Sequence, residues 1–118
     1  NSLLVNPEGE TGEKYKKWLL EIIKEMYNEV TENGEKILVP TDRVQKLLSF
    51  WTGGNTFPYS KIYPITLVLY EHYPKDKLPI SHTCFNKLDI PLYETKEMFK
   101  QKLETALDLD SGQTGFAG

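Results

Sequence analysis

The sequence predicts an α+β domain in which helices pack on a small mixed sheet. Three observations carry this prediction. Tyr15, Trp18, Leu19, Ile22, Ile23, Met26, Tyr27 and Val30 are spaced by alternating threes and ones, which paints a single stripe down a helix. Ile65-Thr66-Leu67-Val68-Leu69-Tyr70 is an apolar, β-branched run that suits a strand. Met98, Phe99, Leu103, Ala106 and Leu107 again fall on one helical face.

Taken in order, residues 1–12 are rich in Asn, Glu, Gly and Thr and read as a linker or loosely held leader. The first helix is expected from Glu13, with Lys16, Lys17, Glu21, Lys24 and Glu25 on its solvated face. Asn33-Gly34 readily takes φ > 0 and is expected to stop it. Lys36–Val39 is a short apolar stretch interrupted by Pro40. Thr41 is a natural N-cap for a second helix, with Asp42 favourable in its first turn. Val44, Leu47, Leu48 and Trp51 give that helix its buried face, and Thr52-Gly53-Gly54-Asn55 ends it.

Residues 55–64 hold Phe57, Pro58, Tyr59, Tyr63 and Pro64 and read as an aromatic loop packed on the core. After the strand at Ile65–Tyr70, Tyr73–Lys77 is a turn, and a short strand is expected over roughly 83–88. Thr95 caps a last helix from Lys96 to Leu109. Ser111-Gly112-Gln113-Thr114-Gly115 breaks it and leaves a flexible tail over 111–118. The folded domain is therefore expected over 13–110.

The chain has 118 residues, 26% of them charged, and a formal net charge of -3. An acidic balance argues against nucleic acid as partner, because phosphate binding needs a basic face. No apolar run reaches the roughly 20 residues that span a bilayer. One cysteine, with no disulfide framework, points to a reducing, intracellular setting. The chain reads as a piece of a longer protein. A zinc site is not expected, since one Cys and two His fall short of a tetrahedral set, and no cofactor is implied.

Chemistry concentrates around the single cysteine, Cys84. A nucleophilic cysteine needs exposure, stabilisation of its thiolate and room for an acyl group. Pro79 and Ser81 favour a loop; His82, Thr83 and Asn86 put polar groups nearby; Lys77 and Lys87 add positive potential. On these features alone, a small buried core residue is the commoner fate of a lone cysteine.

Leu78-Pro79-x-Ser81-His82-Thr83-Cys84-Phe85-Asn86-Lys87-Leu88-Asp89-Ile90-Pro91-x-Tyr93 resembles the active-site region of HECT-type E3 ubiquitin ligases. Leu47-Leu48-Ser49-Phe50-Trp51-Thr52-Gly53 resembles that family's Leu-Leu-x-Phe-x-Thr-Gly segment. The resemblance covers residues 44–118 well and residues 1–40 only in general character. It implies the smaller, cysteine-bearing C-lobe of the catalytic domain.

The implied activity is acyl transfer. Cys84 takes ubiquitin from an E2 thioester and passes it to a lysine of a protein substrate, the E2 being bound through an N-lobe outside this chain. The implied compartment is cytoplasmic or nuclear. Thr83, Phe85 and Asn86 are the nearest candidates to stabilise the oxyanion. His82 is the candidate to bias Cys84 toward thiolate or relay a proton, while His72, placed on the strand, is read as structural. Phe85, Lys87 and Leu88 are candidates to position ubiquitin, whose extended tail would pair along 85–88. The resemblance also implies a lysine-transfer role for Phe116, in Gly115-Phe116-Ala117-Gly118, although the family usually carries one more residue after it.

Two other readings stay open. A thiol hydrolase acting on ubiquitin conjugates would need a His and an orienting Asp or Asn poised on Cys84. A non-catalytic interaction module would use the aromatics Trp51, Phe57, Tyr59 and Tyr63 as its surface.

Overall fold

The computed structural model describes residues 3–53 and 64–110. The elements are β1 (Leu4–Asn6), α1 (Glu10–Lys24), β2 (Tyr27–Glu32), β3 (Glu35–Pro40), α2 (Asp42–Thr52), β4 (Thr66–Tyr70), β5 (Ile80–His82), a 3-10 turn (Thr83–Phe85), β6 (Lys87–Pro91) and α3 (Lys96–Asp108). The expected α+β class holds. A four-stranded sheet runs in the order β1-β4-β6-β5, with β1/β4 and β4/β6 parallel and β5/β6 antiparallel, so it is mixed.

Alternation along the strands divides the sheet's two faces. Leu67 and Leu69 of β4 and Leu88 and Ile90 of β6 enter one core with Leu19, Ile22, Trp51, Phe99, Leu103 and Leu107. Thr66, Val68 and Tyr70, with Lys87 and Asp89 beside them in register, line the other face. α2 is capped as its sequence predicts: Thr41 Oγ1 accepts from Arg43 N at 3.2 Å, and Gly53 closes the helix in the left-handed region. α3 begins at Thr95, whose hydroxyl accepts from Met98 N.

The strand expected over roughly 83–88 is instead a 3-10 turn at Thr83–Phe85 followed by β6 at Lys87–Pro91, because the chain reverses there to pair β5 with β6. Three further expectations change. First, α1 does not run to Asn33; it ends at Lys24. Asn33 and Gly34 both have positive φ, 55° and 81°, and form the two-residue turn of a hairpin rather than a helix stop. Tyr27 and Val30 continue the helical spacing, but Val30 and Thr31 are themselves β-branched and pair across that turn, Val30 opposite the β-branched Ile37 and Thr31 opposite Lys36. The base of the hairpin is pinned where Thr41 Oγ1 donates to Met26 O at 2.6 Å and Thr41 N donates to the same carbonyl.

Second, the expected leader is partly structured. Leu4–Asn6 pair in parallel with Thr66–Val68, Val5 enters the core, and α1 starts at Glu10 instead of Glu13. Third, His72 lies in the turn after β4, with its side chain 93% exposed, so it neither occupies a strand nor packs. The aromatic loop over 55–63 and the tail over 111–118 lie outside the described residues.

Two buried tyrosines tie the helices to the chain around the sheet. Tyr15 of α1 donates to Tyr93 O, and Tyr93 donates to Lys77 O. Burial pushes the Tyr93 phenol above its ordinary value near 10, and burial followed by Glu94 raises Tyr15. A raised folded-state value means the native fold holds the proton more tightly than the unfolded chain. That contribution is complete below about pH 10 and is lost as pH rises beyond it. Urea midpoints are therefore expected to fall above about pH 10, with a shallower fall in Tyr93→Phe; an equal slope in both proteins would count against this assignment.

Candidate functional site

Cys84 occupies the centre of the 3-10 turn that joins β5 to β6, and it is exposed. The turn is short because His82 and Lys87 face each other in the antiparallel ladder, leaving four residues to reverse the chain. Asn86 makes this reversal possible. It adopts the left-handed conformation, φ 53°, which Asn tolerates better than most residues, and its N–H donates to Thr83 O at 3.2 Å.

The turn is anchored from behind. Thr66 N donates to Asn86 O at 3.0 Å. The buried Trp51 donates its indole N–H to the same carbonyl at 3.0 Å and to Thr66 O at 3.2 Å. One side chain of α2 thus joins the start of β4 to the residue that ends the cysteine turn. Gly53 supplies a second support. With φ 79°, it lies so close that an added Cβ would meet Thr83 Cβ at 3.2 Å. Gly53→Ala combines backbone strain with that crowding and is expected to cost about 1–2 kcal/mol. By displacing Thr83, it should also slow reactions at Cys84 severalfold. Thermal unfolding and thiol-exchange rates measure the two effects separately; unchanged exchange would show that Thr83 absorbs the methyl harmlessly.

His82, Thr83, Cys84 and Phe85 come together on one exposed turn, and Phe85 is 52% exposed. Lys87 is half-buried beside them, its ammonium 6.0 Å from the Tyr70 ring centre. Contact with Tyr70, and after it Asp89, holds Lys87 above the ordinary lysine range. Lys77, expected to add positive potential, places its ammonium over Tyr73.

Two expected site residues turn inward. Asn86 is buried and its backbone N–H is already bonded to Thr83, so that N–H is not free to serve an oxyanion. Leu88 is fully buried in the core. As the neighbour of Lys87 on a strand, it faces the opposite side of the sheet, so its expected contact with ubiquitin is replaced by a packing role. Pairing of an incoming tail along 85–88 is also blocked at Lys87 and Leu88, which are flanked by β4 and β5 on both edges. Phe116 lies outside the described residues.

Asp89 was missed by sequence reasoning. It is 2% exposed, and its Oδ2 lies 2.8 Å from His82 Nε2. Lys87 Nζ is 3.8 Å from Oδ1. The one available signal was an Asp between Leu88 and Ile90 in a buried strand, since a buried carboxylate persists only with partners. The identity of those partners follows from strand register. An open groove of about 520 Å³, lined by Asn6, Pro64, Thr66, Val68, Phe85 and Lys87, crosses the outer sheet face and reaches the cysteine turn at Phe85.

Among the described residues no helix is long and apolar enough to cross a membrane. Comparison with known proteins agrees with the family resemblance. The chain is 36% identical over 75 residues to a human protein described as probable E3 ubiquitin-protein ligase HERC4, covering 63% of this chain and 7% of that protein. It is 36% identical over 84 residues to the E3 ubiquitin-protein ligase TOM1-like of Neurospora crassa, covering 64% and 2%. Against rat E3 ubiquitin-protein ligase NEDD4 the figures are 31% over 86 residues, 67% and 10%. The chain thus spans a tenth or less of the length of these relatives. The family model for the HECT-domain (ubiquitin-transferase) matches residues 8–116, nearly the whole chain, and on that match this protein belongs to the HECT family.

Proposed function

We propose that this chain is the cysteine-bearing C-lobe of a HECT-type E3 ligase and that Cys84 carries ubiquitin between an E2 and a substrate lysine. The observation that carries the reading is an exposed thiol at the centre of a turn braced by Trp51, Gly53 and Asn86, in a chain of this family. Bracing matters because acyl transfer gains rate from holding the nucleophile in place.

In the first step Cys84 sulfur attacks the carbonyl carbon of the E2 thioester. The tetrahedral intermediate collapses and the E2 sulfur leaves. One thioester replaces another, so little driving force and little machinery are needed. In the second step a lysine amine attacks the Cys84 thioester, a C–N bond forms, and Cys84 sulfur leaves. Thr83 and Phe85, on the exposed turn, remain the candidates to support the oxyanion. Asn86 acts through the shape of the turn. The groove that ends at Phe85 and Lys87 suits an extended donor tail better than pairing along 85–88. Phe116 is proposed to position the cysteine for lysine transfer. An N-lobe beyond this chain would bring the E2, and ubiquitin, E2 and substrate together assign the protein to the cytoplasm or nucleus.

The test is labelling by a ubiquitin whose C-terminus carries an electrophile, read by mass. A single adduct on the wild type that disappears in Cys84→Ala supports the reading. A folded chain whose thiol reacts with small reagents but never with this ubiquitin would count against it.

A further inference from the structure

We infer that Asp89 is a positioning residue for His82, holding it in the tautomer whose Nδ1 takes the proton released when an amine attacks the Cys84 thioester. The inference rests on the transferase reading above and assigns a role within it. A carboxylate oxygen can only accept, so the 2.8 Å contact between His82 Nε2 and Asp89 Oδ2 places the imidazole proton on Nε2. In the neutral ring the lone pair then lies on Nδ1. Nδ1 makes no hydrogen bond among the described residues, and the His82 side chain is 44% exposed, so this nitrogen is open to an incoming group.

The placement is fixed by the sheet. His82 faces Lys87 in the β5/β6 ladder, and Asp89, two residues along β6, shares Lys87's face. His82 is also the last residue of β5, two before Cys84, so the ring and the sulfur belong to one rigid reversal. Asp89 has few structural duties of its own. Its buried Oδ1 has no hydrogen-bond partner, and the nearest cation, Lys87 Nζ, stands 3.8 Å away. A nearly fully buried carboxylate that leaves one oxygen unbonded and spends the other on a histidine is arranged around that histidine.

The two transfer steps differ in their need for a base. Thiol exchange passes an acyl group between sulfurs. Amine attack forms the C–N bond and leaves a positively charged nitrogen on the tetrahedral intermediate. Its proton goes to His82 Nδ1, the oxyanion electron pair reforms the carbonyl, and the C–S bond breaks with Cys84 leaving as thiolate. His82 then returns the proton to solvent.

For the test, wild type, Asp89→Asn, His82→Gln and the double variant are each charged to completion at Cys84 from a soluble ubiquitin thioester. Discharge to free lysine is then followed. Each single variant is expected to discharge roughly tenfold or more slowly, and the double variant no more slowly than His82→Gln alone. Additive defects, or undiminished discharge in His82→Gln, would overturn the inference. Imidazole nitrogen NMR adds a readout that general loosening would not reproduce: wild-type His82 is expected as the Nε2–H tautomer. That expectation stands even if Asp89→Asn does not fold, and an Nδ1–H tautomer in the wild type would also refute the assignment. A wild type that cannot be charged at all would sink the transferase reading and this inference together, whereas normal charging with unaffected discharge would sink only the latter.

Discussion

Cys84→Ala is expected to abolish ubiquitin transfer while leaving stability almost untouched. Removing the nucleophile of a covalent mechanism lowers rates by factors on the order of 10⁴ or more. Cys84 is exposed and belongs to no buried cluster, so its sulfur contributes little packing. Surface substitutions of this kind change stability by about 0.5 kcal/mol or less. Charging assays with a ubiquitin thioester and urea unfolding of the same preparations measure both halves. Transfer that survives in Cys84→Ala would return the chain to the interaction-module reading. A large loss of stability would mean that the thiol is part of the fold.

Trp51→Ala is expected to act the opposite way, through stability first. Trp51 is 4% exposed and packs in the main core, where truncating a large aromatic costs about 3–5 kcal/mol. Domains of this size are commonly stable by only about 5–15 kcal/mol, so the variant should be marginal. It also loses the indole N–H shared by Thr66 O and Asn86 O. Trp51→Phe separates the two effects: it keeps most of the apolar volume and gives up the hydrogen bonds, for about 1 kcal/mol. A urea midpoint for Trp51→Phe as low as that of Trp51→Ala would show that the hydrogen bonds, not the ring, hold α2 against the sheet. With the turn anchor gone, both variants should charge at Cys84 more slowly even under conditions where they remain folded.

Cross-element ion pairs add little to this core. Arg43 of α2 reaches Asp108 of α3 at 2.7 Å, and Lys96 and Lys100 of α3 both reach Glu25 beyond α1 at 2.9 and 2.7 Å. Asp108 and Glu25 are substantially exposed in these pairs, and exposed pairs are worth about 1 kcal/mol or less. They set the orientation of α3 more than they hold it.

Local signals were enough to read α2, α3 and β4. Thr41 and Gly53 bracket α2, Thr95 starts α3, and the β-branched run of β4 has no helical alternative of comparable strength. The resemblance around Cys84 was legible for the same reason, since its residues are contiguous. Four features depended on contacts that contiguous residues do not specify. Tyr27–Glu32 carries both a helical stripe and a strand composition, and the partner strand across Asn33-Gly34 decided between them. Leu4–Asn6 is too short to announce itself, and became a strand only because β4 offered a parallel edge. Leu88 and Lys87 are adjacent in sequence, and the pleat sent one into the core and left the other beside the cysteine turn. His82 and Asp89 met because β5 pairs with β6 in a single register, which a shift of one residue would have broken. The sequence by itself determined where α2 and α3 begin and end and which residue is the candidate nucleophile, because propensity, capping and chemistry act over a few residues. Tertiary structure decided which face each strand residue takes and which carboxylate holds the histidine, because strand register is set by burying one whole face of the sheet at once.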